Sequence, residues 1–203
     1  MKLLKDSNCK DLTVVIPTIG RSKELNKTLK LLNNGNHKPH KILIIIPKAE
    51  LLNLKIKYST NIEVFASNQY GQVKQRVLGF NLSKTKFTMQ LDDDCLISQK
   101  SIIELKNNLI KLGKKNCIGP IFLSNKNKPL HIFKNKFQTN ILSFLFGLPI
   151  GKDRMGKTNY MNLNYGIDPS YTDKNLNEVQ WIPGGCKLMF TENLIKTDYF
   201  KFS

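Results

Sequence analysis

Short apolar runs alternate with amphipathic stretches along most of the chain. The apolar runs are rich in β-branched residues and are bounded by proline, glycine or polar residues, which is typical of buried strands. We predict strands at residues 12–17 (LTVVIP), 41–46 (KILIII), 62–66 (IEVFA), 86–91 (KFTMQL), 117–123 and 187–190.

The first amphipathic stretch follows the first apolar run. Leu25, Leu29 and Leu32 recur there at helical spacing, which predicts one apolar face. We expect Ser22 to cap this helix and Gly35 to end it.

Two later stretches show the same spacing, at residues 69–82 and 98–112. In the first of them Val73, Val77 and Phe80 share one predicted face. Because strands and helices alternate, we predict an α/β fold with a mostly parallel, Rossmann-like sheet and helices on both faces. Ligands of such sheets bind outside the carboxyl ends of the strands.

The chain has 203 residues, of which 40% are hydrophobic, so it can bury a core and is not a disordered segment. We expect residues 1–10 to be an N-terminal extension and residues 11–203 to form a single domain. Residues 125–180 are rich in Lys, Asn and Gly, and we expect them to contain long loops around a site.

The charge is strongly positive, with 32 Lys and Arg against 15 Asp and Glu, a formal net charge of +17. A polyanionic or membrane-surface partner and a plainly solvated surface both explain such a charge. Nucleic acid is not an expected partner, because the lysines are scattered and no nucleic-acid-binding motif is present.

Compartment signals are few. The polar start predicts no secretory signal, and the four cysteines lack CxxC spacing, as expected of reduced thiols. Residues 141–150 (ILSFLFGLPI) are too few to span a bilayer, and they read either as a core segment or as a loop that dips into a surface or contacts an acceptor. We expect a cytoplasmic protein, with a peripheral contact at the inner face of a membrane as an option.

Three adjacent carboxylates, Asp92, Asp93 and Asp94, directly follow the fourth predicted strand. Their mutual repulsion is tolerated where a cation or a bound ligand offsets it, and oxygen ligands suit Mg²⁺ or Mn²⁺. A solvated turn is the structural alternative. The position at the end of a buried strand favours metal and nucleotide binding.

Two other segments carry candidate chemistry. In NQYGQVKQRVLG, Gly71 precedes a helix whose N-terminus favours anions, and Lys74 and Arg76 follow on that helix. In WIPGGC, the paired glycines suit a close backbone approach, and Trp181 suits stacking on a sugar. An ordinary amphipathic helix and a tryptophan in the core explain the same residues structurally.

Four segments, LTVVIPTIGR, GQVKQRVLGF, FTMQLDDD and WIPGGCKLMF, together resemble a known family in order and spacing. This family is the nucleotide-sugar glycosyltransferases of the large inverting family two, which have a GT-A fold. The resemblance runs from residue 11 to the C-terminus. Its most specific parts are the D-x-D at the strand end and the W-x-x-G-G segment.

The resemblance implies roles for individual residues. The implied nucleotide-binding residues are Pro17, Thr18, Arg21, Arg76, Asp92 and Asp93. The implied metal ligands, for Mn²⁺ or Mg²⁺, are Asp94 and Asp92, and the implied donor-sugar and acceptor residues are Trp181, Gly184 and Gly185. The metal would stabilise the departing nucleoside diphosphate while an acceptor hydroxyl attacks with inversion.

The resemblance further implies a UDP-sugar donor and a glycan or lipid-linked acceptor, as in the synthesis of cell-surface polysaccharide.

The chain departs from the family in two places. The second strand ends in Ile44-Ile45-Ile46-Pro47 without the carboxylate that often contacts the base. Neither Glu192 nor Asp198 matches the family's acidic motif, so we expect the chain to be truncated before a catalytic base that lies beyond Ser203.

Three alternatives stay open at this point. A pseudoenzyme or scaffold would bind donor without transferring sugar. A basic nucleic-acid-binding protein would explain the charge. A nucleotidyltransferase acting on a sugar phosphate would need a phosphate loop richer in Gly and basic residues than Thr18-Ile19-Gly20-Arg21.

Overall fold

A computed structural model describes residues 9–57, 59–124, 141, 156–158, 167 and 176–195. The chain divides into two compact units. The first comprises Met1–Gly119 and Pro183–Ser203, and the second is Pro120–Ile182. The strands and helices given below all belong to the first unit.

Six strands of the first unit form one sheet in the order β3-β2-β1-β4-β6-β5. Neighbouring strands from β3 to β4 are parallel, whereas β6 is antiparallel to both β4 and β5. The strands are β1 (Leu12–Pro17), β2 (Lys41–Pro47), β3 (Ile62–Ser67), β4 (Phe87–Leu91), β5 (Cys117–Ile118) and β6 (Cys186–Phe190).

The described part of the first unit also contains four α-helices and one 3-10 helix. The helices are α1 (Ser22–Asn33), the 3-10 helix (Lys48–Asn53), α2 (Gln72–Leu82), α3 (Gln99–Leu112) and α4 (Thr191–Ile195). The predicted α/β class with a mostly parallel sheet is therefore confirmed. None of the helices in the described part is long and apolar enough to cross a membrane.

The core lies on both faces of β1 and β2. Val15, Leu43 and Ile45 pack with Phe80 of α2 and Leu194 of α4 in one buried cluster. Every residue of β1 is buried, and so is every residue of β2 after the first, so the opposite face is covered as well. Continuous apolar strands of this kind are what a sheet buried on both sides requires.

Several predicted boundaries differ from the structure. Ser22 is the first residue of α1 rather than its cap, because its hydroxyl donates to the Gly20 carbonyl instead of accepting from the helix. The helix predicted at residues 69–82 is α2, which begins at Gln72. Val73, expected on its apolar face, is 47% exposed. The buried face of α2 includes Gln75 and Arg76.

Two other predictions concern residues 117–123 and residues 141–150. The strand predicted at residues 117–123 is regular only at Cys117–Ile118. Of the apolar run at residues 141–150, only Ile141 is described, so that prediction lies outside the described residues.

Candidate functional site at the ends of the central strands

The three carboxylates that follow β4 occupy three different environments. The Asp93 side chain is 2% exposed, that of Asp92 is 22% exposed, and that of Asp94 is 48% exposed. The triplet is therefore a turn with one inward, one intermediate and one outward carboxylate. The outward one is the most accessible to an added ligand.

Asp93 is held by residues that follow β1. Its Oδ2 accepts from Thr18 Oγ1 at 2.5 Å and from Arg21 Nε at 3.3 Å, and its Oδ1 accepts from Arg21 Nη2. These bonds join segments more than 70 residues apart. A buried carboxylate needs such partners. The same bonds hold Thr18 and Arg21 against the turn that follows β4.

Arg21 bridges two members of the triplet. Besides its bonds to Asp93, its Nη1 donates to Asp94 Oδ2 at 3.1 Å. The hydrogen bond to Asp93 and the nearby charges of both carboxylates raise the pKa of Arg21 further above its ordinary value. The guanidinium offsets the repulsion between adjacent carboxylates, and it stays half exposed.

Arg76 holds Asp92, the remaining carboxylate of the triplet. This residue of α2 is only 9% exposed, and its Nη2 donates to Asp92 Oδ1 at 2.7 Å. Gln72, one turn earlier, donates to the same oxygen at 3.2 Å. Two of the chain's three arginines thus bind the triplet. Arg21 forms the branched contact that a guanidinium allows and an ammonium does not, whereas both contacts of Arg76 come from Nη2.

The turn at Gly184 and Gly185 lies against the same residues. The Asp92 backbone N–H donates to the Gly185 carbonyl at 2.8 Å, and Arg76 Nη2 lies 3.4 Å from the Gly184 carbonyl. Gln90 Nε2 donates to that same carbonyl. A Cβ at Gly184 would meet the Arg76 guanidinium at 3.8 Å, an ordinary contact distance, so packing within the protein does not itself require glycine there.

Two buried polar atoms beside this turn have no hydrogen-bond partner within the described part of the chain. They are Arg76 Nε and Gln90 Oε1. Buried donors and acceptors are nearly always paired, so a ligand or water is expected to complete the hydrogen bonding of these two atoms. Arg76 and Gln90 are therefore the side chains with unused hydrogen-bonding capacity next to the triplet.

Metal binding at this site would depend on the triplet. Among the described residues no group of three His, Cys, Asp or Glu side chains has the arrangement of a metal site. Mg²⁺ commonly takes one or two carboxylates and completes its shell with phosphate oxygens and water. The half-exposed Asp94, with the partly exposed Asp92 nearby in the chain, fits that mode.

Cys95 follows the triplet directly, and its backbone N–H donates to the Asp92 carbonyl at 3.1 Å. Burial and the charges of Asp92 and Asp94 raise the pKa of its thiol to about 11. The thiol is therefore neutral at physiological pH, and it is not an activated nucleophile.

Sequence reasoning missed several residues that position the site. Gln75 is 2% exposed, and its Nε2 donates to the carbonyls of Thr18 and Ile45. Thr28 of α1 donates to the Asp93 carbonyl at 3.0 Å. A polar residue on the buried face of a predicted helix was the available signal, but that face cannot be identified before the helix is packed.

The remaining predicted residues are placed as follows. Pro17 is buried as the last residue of β1, where it pairs in register with Ile45 of β2. Lys74 is only partly buried on α2. Trp181 is half-buried and belongs to the second compact unit.

Comparisons with known proteins identify a family. The model of a family described as "Glycosyl transferase family 2" matches residues 13–162, which is more than half of the chain. No curated protein matches the sequence significantly.

Solved structures with a similar arrangement include residues 1–349 of TarS from S. aureus, at 14% identity and a TM-score of 0.39. The match covers 49% of this chain and 32% of that one. A mannosyltransferase from Pyrobaculum calidifontis, solved with GDP-Man and Mn²⁺, matches at 9% identity and a TM-score of 0.37, covering 47% and 31%. The chain thus spans about a third of the length of each.

A third structure, 4-diphosphocytidyl-2C-methyl-D-erythritol synthase from Anaerococcus prevotii, matches at 13% identity and a TM-score of 0.48. The match covers 97% of this chain and 76% of that one.

Proposed function

The chain belongs to glycosyl transferase family 2, and we propose that it binds a nucleoside-diphosphate sugar at the Asp92–Asp94 turn and transfers the sugar to an acceptor hydroxyl with inversion. One observation carries the proposal. Arg76, Asp92 and the Gly184 carbonyl meet at the carboxyl end of the central strands, beside an exposed Asp94. This is the edge at which open α/β sheets bind ligands.

The nucleotide would lie across the ends of β1 and β4. Pro17, Thr18 and Arg21 come from the first of these strand ends, and Asp92 from the second. Arg21 keeps about half of its side chain exposed, so it can still approach a phosphate. Asp93 would act on the nucleotide by holding Thr18 and Arg21, since both its oxygens already accept hydrogen bonds.

Mn²⁺ or Mg²⁺ would be held by Asp94, with Asp92 as a second ligand. The fit rests on the exposure of Asp94 and on carboxylate oxygens being ligands that these ions prefer. The bound ion would supply a Lewis acid for the negative charge on the departing diphosphate.

The chain's own residues would support departure of the nucleoside diphosphate electrostatically. Arg76 is almost buried, so its positive charge acts through a medium that screens it weakly. Its Nη2 is shared between Asp92 and the Gly184 carbonyl, while the unpaired Nε remains available as a donor. Gly184 and Gly185 would border the donor sugar and the acceptor.

The partners follow from this proposal. The donor is a nucleotide sugar, with UDP-sugars favoured, and the acceptor is a glycan or a lipid-linked sugar, as in making a cell-surface polysaccharide. The TarS and mannosyltransferase structures include complexes with UDP-GlcNAc and with GDP-Man, so both nucleotides belong in the test. A cytoplasmic location with a peripheral membrane contact fits a lipid-linked acceptor and the +17 charge.

The proposal is tested with a panel of UDP- and GDP-sugars, measured by thermal shift with Mn²⁺ and then by release of nucleoside diphosphate. We expect one nucleotide class to raise the melting temperature, and its sugar to be released or transferred. Binding without turnover would identify a donor-binding protein instead of an enzyme. No shift with any nucleotide sugar would reject the proposed function.

A further inference from the structure

A cavity of about 290 Å³ opens beside β5 and β6 at the end of the sheet away from β3. Phe80, Met189 and Leu194 form the apolar part of its lining. Small-molecule sites have volumes from about 300 Å³ upward. This cavity is at the small end of that range, which suits one ligand the size of a single sugar ring.

Gln90 gives the cavity a hydrogen-bond acceptor without a partner. The residue is 1% exposed and lines the cavity, yet Gln90 Oε1 has no partner in the described part of the chain. Its Nε2 is already used by the Gly184 carbonyl, which fixes the orientation of the amide. A buried amide oxygen of this kind requires a donor, and a sugar hydroxyl is one.

Two ammonium groups give the cavity a positive charge. Lys115 and Lys187 both line it, and no Asp or Glu is among its described lining residues. Neither lysine forms an ion pair within the described ranges. Ammonium groups only donate hydrogen bonds and are positively charged, so an anionic acceptor complements them best.

The cavity is connected to the candidate donor site through one backbone atom. The Gly184 carbonyl accepts from Gln90 at the cavity and from Arg76, which in turn binds Asp92. A ligand on Gln90 is therefore separated from Asp92 by a short chain of hydrogen bonds. An acceptor bound in the cavity would therefore lie next to the candidate donor site.

We propose that this cavity binds a hydroxylated anion of monosaccharide size, a sugar acid or a sugar phosphate, as the charged end of the acceptor. Gln90 Oε1 accepts from a ligand hydroxyl, and Lys115 and Lys187 bind the carboxylate or phosphate. The apolar lining contacts the C–H face of the ring. The acceptor role rests on the proposed function, whereas the binding itself does not.

The test is calorimetry on the full chain at constant ionic strength, with glucuronate, glucose 6-phosphate, glucose and inorganic phosphate as probes. We expect at least one of the two sugar anions to bind about tenfold or more tightly than both glucose and phosphate, because charge-assisted hydrogen bonds add to those of the ring. Which sugar anion binds more tightly distinguishes a carboxylate from a phosphate ligand.

Three lysine variants locate the binding. Lys115→Gln and Lys187→Gln should each weaken it about tenfold. Lys114→Gln is the matched control, because Lys114 is 70% exposed, pairs with Glu192 and does not line the cavity. An equal loss in the control variant, no binding of either sugar anion, or equal binding of glucose would overturn the proposal.

Nucleotide binding is measured on the same samples to separate the two proposals. Sugar-anion binding that persists when no nucleotide sugar binds would reject the proposed function and the acceptor role but keep the cavity as a binding site. Nucleotide binding without sugar-anion binding would reject the cavity alone. If inorganic phosphate bound as tightly as glucose 6-phosphate, the sugar ring would not be recognised. That result would overturn the assignment to a sugar.

Discussion

Arg76 donates to Asp92 across 2.7 Å, and this bond joins α2 to the first residue after β4. Asp92 is also bound through its backbone N–H to the Gly185 carbonyl. The carboxylate is thus held by a helix while its backbone is held by the turn before β6. Two consecutive elements, α2 and β4, thus meet the much later turn before β6 at one acidic residue.

Replacing Arg76 tests whether this contact serves the donor. Arg76→Lys keeps the charge but loses the branched guanidinium, so we expect nucleotide-sugar affinity to fall about tenfold or more. Lys74→Gln, on the same helix, removes a charge that has no hydrogen bond to the triplet, and affinity should change little. Calorimetry with the best donor of the panel measures both. Equal effects of the two changes would mean that only the general positive charge matters.

Replacing the buried carboxylate should lower the free energy of unfolding more than replacing the exposed one. Asp93→Asn weakens the hydrogen bonds to Thr18 and Arg21, and we expect it to cost about 2–3 kcal/mol, less than a fully buried pair because Arg21 is half exposed. Asp94→Asn, in an exposed pair, should cost less than about 1 kcal/mol. Urea unfolding gives both values. A larger cost at Asp94 would contradict the assignment of Asp93 as the structural member.

Gly79 tests the packing of α2 on the sheet. A Cβ there would overlap the Val15 side chain and lie 3.2 Å from Ile45 Cγ1. Gly79→Ala should therefore destabilise the fold by about 1–3 kcal/mol, since overpacking of a full core outweighs the higher helix propensity of alanine. The exposed Asn81→Ala on the same helix is the control. A more stable Gly79→Ala variant would show that the helix can move away from β1.

Much of the fold follows from local sequence patterns. The apolar runs that became β1 and β2 are nearly continuous and rich in β-branched residues, and both of their faces are buried as that pattern requires. The triplet could be placed at a strand end because Leu91 is the last apolar residue before it. These features depend on neighbours in the chain, so they can be predicted without the tertiary structure.

The roles within the site depend on distant residues and could not be predicted in the same way. Three adjacent aspartates look equivalent in the sequence, and Asp93 becomes the buried one because Thr18 and Arg21, some 70 residues earlier, pair with it. Val73 was expected in the core on helical spacing alone. The helix instead turns Gln75 and Arg76 inward, where they bond to strand ends and to Asp92.

Metal-dependent donor binding through Asp94 is the central claim, and one measurement tests it most directly. Calorimetry compares nucleoside-diphosphate-sugar binding with Mn²⁺ and with a chelator, in the unaltered chain and in Asp94→Asn. We predict binding that requires Mn²⁺ in the unaltered chain, and a loss of that dependence together with most of the affinity in the variant. Equal affinity with and without Mn²⁺, or an unchanged affinity in Asp94→Asn, would contradict the account.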